Sequence, residues 1–439
     1  MEQLAEATAP NPLAELMNQI GLRPEQLVAR INELRHRRGS HPLDLKSAYP
    51  WLRGQPSRPN QENERDALTV LSSRAGRTVT AAELSWSGPR RRPHRRWLDS
   101  PGDAPMDALL REIIQGDPMD RRNLLLLAGA AATAPGLALL IGNGSAQAAE
   151  RGGRLSSQLV GGIENSVREL RELDDTDGST AGLLWAGGLW QSVARVVAHA
   201  RDDSPTGRRL HTAFVELSEQ YGWMLFDADL HPQAQRVYQT GMCLAREAAP
   251  SPDTRFATSN LLASAGYQAS WLSQHSEART FLDVAGRDPG GLPPRLGAVI
   301  AERQIFAAGR RGDTEQLRRA RDTAHNLLDK AGGDGPWWSR WLSHHAIDAV
   351  TGRAWLAAQD PRAAEPYLTR SLTATDDAFP RDRMLAVLDL ADTRRLQGEP
   401  HAALALTHEA AALAEQVHSP RAQNRLREIT TALPPHTQG

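Results

Sequence analysis

Between residues 150 and 434 a turn signal returns every 15 to 25 residues, and five times it carries the same short signature. That signature is a polar turn, a Pro or polar residue, and a small anchor. It reads His231-Pro232-Gln233-Ala234, His275-Ser276-Glu277-Ala278, Asp313-Thr314-Glu315-Gln316, Asp360-Pro361-Arg362-Ala363 and Glu399-Pro400-His401-Ala402. The anchors at 234, 278, 316, 363 and 402 lie 44, 38, 47 and 39 residues apart. Pro stands at the same place in three of the five, where a helix start tolerates its missing N–H. A period near 40 is the length of a helix pair that cannot bury its apolar face alone and must stack on its neighbours. The spacing therefore predicts an all-α array of about six or seven helix pairs over 151–434, with the small anchor letting the two helices of a pair approach.

Composition agrees with a chain that buries a large core. Hydrophobic residues make up 40% and mean hydropathy is −0.49. Net charge is −1, so the whole chain presents no field that would attract nucleic acid. The distribution differs. From Ile20 to Leu98 there are 15 Arg and one Lys against seven Asp and Glu, a local surplus of +9. Lys occurs only at 46 and 330, so Arg carries the positive charge. Cys243 is the only cysteine, which excludes a disulfide framework within one chain. The acidic, polar first residues predict no signal peptide.

Residues 1–88 read as a small helical domain. Leu13, Leu16, Met17 and Ile20 fall at helical spacing before Gly21. Pro24 opens a second helix with Leu27, Val28, Ile31 and Leu34 on one face. After a basic loop, Arg35 to Pro42, comes the segment Asp44 to Gly54. A helix over about 62–75 follows, and Thr80-Ala81-Ala82-Glu83 reads as a capping box that opens a last short helix.

Five short helices in this order resemble a Cro/C1-type (XRE) helix-turn-helix domain. The matching residues are Gly21, Leu22, Pro24, Leu27, Ala29, Asn32, Ser47, Trp51, Leu52, Arg53 and Gly54. The resemblance implies double-stranded DNA as partner, with Lys46, Ser47 and Tyr49 in the major groove and Arg53 on the backbone. Pro50 departs from the pattern and predicts a recognition helix shortened to one turn. The alternative is a helical domain that packs on a partner and has lost DNA binding. In the second half, Gly222-Trp223-Met224-Leu225-Phe226-Asp227-Ala228 leading to Ala234-Gln235-Arg236-Val237-Tyr238 resembles tetratricopeptide (TPR) repeats. It is also similar to a block in actinobacterial regulators that join this helix-turn-helix to a TPR tail, the NsdA-type group. Leu173-Asp174-Asp175 and Arg209-Leu210 also sit where that group has them. The likeness implies a sensing or dimerising helical half, a homodimer, and a peptide or protein partner in its concave groove. Candidate groove aromatics are Tyr221, Trp223, Tyr267, Trp271, Trp337, Trp338 and Trp341, each with a core position as alternative. Trp337 and Trp338 stand out as partner-binding residues, because adjacent helix positions cannot both point inward.

Residues 89–150 form a linker that changes character. Arg90, Arg91, Arg92, Arg95 and Arg96 fall within seven positions, a ready phosphate contact beside a helix-turn-helix. Asn123 to Ala149 then carries no charged residue. Three readings stay open for it: a buried linker helix, a membrane anchor over 124–141, and a twin-arginine signal beginning Arg121-Arg122. A DNA-binding half upstream favours the buried linker and a cytoplasmic protein.

No nucleophile elbow, phosphate-cradling loop, zincin pair or CxxC is present. The adjacent pair His344-His345 lacks the i, i+4 spacing of helical metal ligands. No catalytic residue, metal or cofactor is therefore expected, and no enzyme. The sequence points to a transcriptional regulator; an interaction scaffold is its rival.

Overall fold

The computed structural model describes residues 11–38, 42–43, 45, 47–52, 59, 61–81, 83–84, 86, 155–199, 204–248, 251–288, 290–373 and 379–433. Among these, all regular structure is helical. The chain divides into two compact units at His94. The linker arginines 90–96 and the uncharged stretch 123–149 lie outside the described residues.

The N-terminal unit holds α1 (Pro12–Gln19), α2 (Pro24–Arg38), α3 (Tyr49–Leu52) and α4 (Gln61–Ala75). Its core is Leu13, Leu16, Met17, Leu27, Val28, Ile31, Val70 and Leu71, closed by Trp51 and Trp86 edge to face at 6.5 Å. Asn11 caps α1 by accepting from Leu13 N–H, and its amide donates to the carbonyls of Trp51 and Leu52. One side chain thus ties the start of α1 to the end of α3. Two expectations are corrected. Arg35 belongs to α2, where it is buried against Asp66 at 2.9 Å instead of lying in a loop. The capping-box bond forms, Glu83 N–H to Thr80 Oγ1 at 3.3 Å, but the described residues after it make a turn and no helix.

The second unit begins with α5 (Ser157–Asp177) and α6 (Ser179–His199). Four further hairpins follow: α7 (Pro205–Asp227) with α8 (His231–Glu247), α9 (Pro252–Trp271) with α10 (His275–Ala285), α11 (Pro294–Arg310) with α12 (Thr314–Ala331), and α13 (His344–Ala357) with α14 (Pro361–Ser371). Then come α15 (Pro380–Leu396), α16 (Pro400–Leu413) and a final α17 (Pro420–Ala432). The odd-numbered helices α5 to α15 each pack on the next, and α15 returns to α5. They form an inner ring, with their even-numbered partners packed against them.

Five of the hairpin turns are built alike. A residue with positive φ, Asp229, Ser273, Gly312, Gln359 or Gly398, ends the first helix. The N–H of the next residue donates five residues back, at 2.8–3.0 Å, and that same residue starts the second helix. This is a Schellman turn whose last residue doubles as the cap of the next helix. Aligned on the turn, the buried anchor is Ala234, Ala278, Leu317, Ala364 and Ala403. The sequence anchors at 316, 363 and 402 were thus one residue early, and one true anchor is not small. The first helix supplies the matching gap: a Cβ on Gly222 would lie 2.4 Å from the Tyr238 ring. At Gly312 and Gly398 a Cβ would meet nothing within 4 Å, so any cost of Ala there is conformational. Gly312→Ala and Gly398→Ala are each expected to cost about 1 kcal/mol in urea denaturation. Unchanged stability in both would remove the left-handed turn as a determinant of the pairing.

Candidate functional site

In the N-terminal unit the residues expected to read DNA are only partly placed. Lys46 and Arg53 lie outside the described residues, as do Arg90, Arg91, Arg92, Arg95 and Arg96. Ser47 is half-buried in the turn before α3, so it does not belong to that helix's first turn as expected. Tyr49 is the first residue of α3, and its hydroxyl donates to Glu25 at the start of α2. That bond holds the Glu25 carboxyl below its usual range and pushes the tyrosine up. Pro50 is the second residue of the helix, where its missing N–H would have had no partner. The helix is four residues long, the single turn that the sequence predicts, with Pro50 at its start and not inside it. Trp51 is a core residue, 5% exposed.

The more elaborate site is the cavity inside the ring of the second unit, of about 80 Å³. Each inner helix contributes. From α5 come Arg171, Asp174 and Asp175; from α7, Glu219 and Trp223; from α9, Asn260 and Tyr267. From α11 come Glu302 and Arg303, from α13 Arg353, from α15 Arg381 and Asp382, and from α17 Arg421. All of these but Trp223, Asn260 and Tyr267 are charged, and nearly every arginine has its own carboxylate. Arg171 meets Glu219 at 2.5 Å, and Glu219 also accepts from Ser264 Oγ at 2.7 Å. Arg353 meets Asp389 at 2.7 Å.

Two pairs close the ring. Arg381 on α15 donates to Asp174 on α5 at 2.9 Å, and Arg421 on α17 donates to Asp227 at the end of α7 at 2.8 Å. All four side chains are buried. Burial pushes Asp227 up, but Arg381, Arg421 and the hydroxyls of Ser179 and Ser419 outweigh it and hold the carboxyl below its usual range. Backbone bonds reinforce the junction: His418 N–H donates to Asp177 O at 3.1 Å, and Thr180 N–H to His418 O at 3.2 Å. The concave face expected as an open groove is the wall of this narrow cavity.

Aromatic rings form the rest of the wall. The Arg303 guanidinium carbon sits 4.7 Å from the Trp223 and Tyr267 ring centroids and 4.8 Å from that of Trp341. Trp341 is carried by the segment between α12 and α13, which Arg295 pins by donating to the carbonyls of Ser339, Arg340 and Leu342 at 2.8–3.2 Å. The same segment holds the two tryptophans singled out in the sequence. They lie on a 3-10 turn instead of a helix. Trp338 is 3% exposed in a core with Ala263, Leu282 and Ile300. Trp337 is half-buried, with Arg168 and Arg171 over its ring at 5.5 and 5.7 Å. Neither lines the cavity; the aromatics that face it are Trp223, Tyr267 and Trp341.

Asp175 has no arginine of its own. Burial first, then repulsion from Asp174, pushes its carboxyl from 3.8 up to about 7, against the pull of Arg171 and Arg381. The folded protein therefore binds more protons than the unfolded chain between about pH 4 and 7. Stability falls with rising pH through that window, by at most ~1.4 kcal/mol per pH unit for this group. Asp175→Asn is expected to match the parent at pH 4 and exceed it at pH 8. Denaturation midpoints at the two pH values check this; a variant less stable than the parent at pH 8 would contradict it.

Among the described residues no group of three His, Cys, Asp or Glu is placed to hold a metal ion. His344 instead stacks on His325, with ring nitrogens 2.8 Å apart, and His345 Nδ1 lies 3.1 Å from Arg370 O. Among the described residues no helix is long and apolar enough to cross a membrane. Comparison with protein-family models, curated proteins and solved structures finds no match to this chain.

Proposed function

We propose that the chain is a DNA-binding transcriptional regulator: a helix-turn-helix-like N-terminal unit joined to a TPR-like helical unit that senses a ligand or dimerises. The observation that carries this reading is the +9 surplus over residues 20–98, set on a small unit with an apolar core. Arg35 is spent on a buried pair with Asp66, while Arg23, Arg30, Arg65, Arg74 and Arg77 are exposed. Surface arginine on a small helical unit is what phosphate contact requires. The repeat geometry supports the second half: the spacing from Gly222 to Ala234 to Tyr238 is that of a TPR-type hairpin.

The test is duplex binding against salt. Each phosphate contact adds about 0.9 to the slope of log affinity on log salt. Changing Arg90, Arg91, Arg92, Arg95 and Arg96 together to Ala is expected to lower that slope by several units and to weaken specific and random duplex alike. Absence of any duplex binding at low salt would overturn the regulator reading. A scaffold that has lost DNA binding is the second reading. It is favoured by Tyr49, whose hydroxyl is already engaged by Glu25 and must release it to reach a base. Tyr49→Phe separates the two: lost sequence preference supports the regulator, while lost stability alone supports the scaffold.

A further inference from the structure

Away from the ring cavity, the ends of α8 and α10 meet the start of α9 around a cleft of about 350 Å³. Two unlike surfaces wall it. Ala245, Leu262 and Val284 make an apolar side, and Val284 is left 47% exposed. Arg246, Arg255 and Arg287 bring charge, against one lining carboxylate, Asp288. Asp288 does not use up that charge. Its side chain is 3% exposed and accepts from Gly290 N–H at 2.7 Å and from Arg255 Nε at 3.3 Å. The terminal nitrogens of Arg255 have no hydrogen-bond partner among the described residues, and the Arg287 guanidinium likewise has none. A cation at the end of α8 or α10 suits the helix dipole, but one in the first turn of α9 opposes it. Local electrostatics therefore does not account for Arg255, whereas an anion in the cleft does.

A second observation is independent of the charges. Ser259, on α9, is 7% exposed and lines the cleft, and its hydroxyl makes no hydrogen bond among the described residues. Its neighbours behave otherwise: Ser251 Oγ accepts from Thr254 N–H at 3.1 Å, and Thr258 Oγ1 donates to Thr254 O at 2.7 Å. Buried hydroxyls are ordinarily satisfied, so a free one facing a cleft marks a place for a polar ligand atom. Arginine with free terminal nitrogens takes a carboxylate or a phosphate through paired N–H bonds. The volume stands at the small end of the range for organic ligands, roughly 300–1,000 Å³.

We infer that this cleft binds a small organic anion with an apolar body, its head held by Arg255 and Arg287 with Ser259, and its body packed on Leu262 and Val284. This gives the sensing half of the proposed function a ligand class. It rests on that reading for its consequence, a change in duplex binding, and not for the site itself.

Titration calorimetry on the full-length chain with octanoate and with octyl phosphate tests the inference and separates the two heads. Saturable binding of either supports it, and the tighter of the two identifies the head. Acetate and inorganic phosphate lack the apolar body and should bind far more weakly, and octylamine should not bind. Arg287→Gln should weaken binding by at least about tenfold, the loss of a charged hydrogen-bonded contact. Val284→Glu places a like charge in the apolar wall and should abolish it. Both side chains are exposed, so neither change disturbs the core. Ser259→Ala should weaken binding several-fold. Saturation by neither octyl probe overturns the inference, as does equal binding of octylamine, or an affinity unchanged in all three variants. Duplex binding is measured on the same preparations. Anion binding without DNA binding leaves the site standing and removes the regulator; DNA binding without anion binding does the reverse.

Discussion

Replacing Arg381 by alanine is expected to destabilise the helical unit by about 3–5 kcal/mol, the usual cost of removing one partner from a buried ion pair. The guanidinium is 4% exposed and bridges α15 to α5, so it joins helices more than 200 residues apart in the chain. Without it Asp174, 2% exposed, loses the partner at 2.9 Å, and Asp227 keeps Arg421. The loss should come from the stranded carboxylate and not from the missing attraction. A double variant, Arg381→Met with Asp174→Leu, tests this, since replacing both members by apolar groups of similar volume is often neutral. It should therefore recover most of the stability lost by Arg381→Ala. The measurement is the urea midpoint followed by helical circular dichroism. A single variant within about 1 kcal/mol of the parent would show that the junction between the first and last inner helices does not depend on this pair.

Gly309→Ala should also be costly, and its sign contradicts what local propensity predicts. Gly309 lies in the last turn of α11, where Ala is favoured over Gly by about 1 kcal/mol on helix propensity. In the folded protein a Cβ there would stand 2.3 Å from the Ala354 carbonyl oxygen of α13 and 2.7 Å from its Cα. The obstacle is backbone, so no rotamer change relieves it and the two inner helices must part. Overpacking costs about 1–3 kcal/mol, and a backbone obstacle puts this case at the upper end. Gly312→Ala, three residues on, is the control, because its Cβ would meet nothing. Thermal denaturation of the two variants should therefore rank Gly309→Ala clearly below Gly312→Ala; the reverse order would show that α11 and α13 do not depend on this close approach.

The contrast between Gly309 and Gly312 shows where sequence reasoning ends. Turn chemistry is local. The Pro, Asp and Gly residues at each helix start announced the hairpins and their period of about 40, and with them the all-α character of the chain. The one-residue error in three anchors arose because a chemical signature, "polar, Pro, Ala", was aligned where a geometric one, the positive-φ residue, decides the register. That residue is glycine only at 312 and 398; at 229, 273 and 359 it is Asp, Ser and Gln, so composition hides it.

The candidate cavity was legible only in fragments. Asp174, Asp175 and Asp227 stood inside blocks that drew notice by resemblance, without a role. Glu302-Arg303-Gln304 interrupts an apolar stretch from Val299 to Phe306, and the first two of the three are buried. Trp337 and Trp338 were preferred over Trp341 on the premise of a helix that is a 3-10 turn in the fold. Apolar periodicity and turn chemistry determine that helices form here, because both depend on residues within a few turns of one another; they do not give the buried face of α9 or α15, where 263–270 and 384–391 are buried all round. Only the tertiary structure decides that α15 and α17 return to α5 and α7. That junction depends on Arg381 finding Asp174 and Arg421 finding Asp227 across some two hundred residues, and no local pattern encodes a pairing whose energy exists only once water is excluded from both partners.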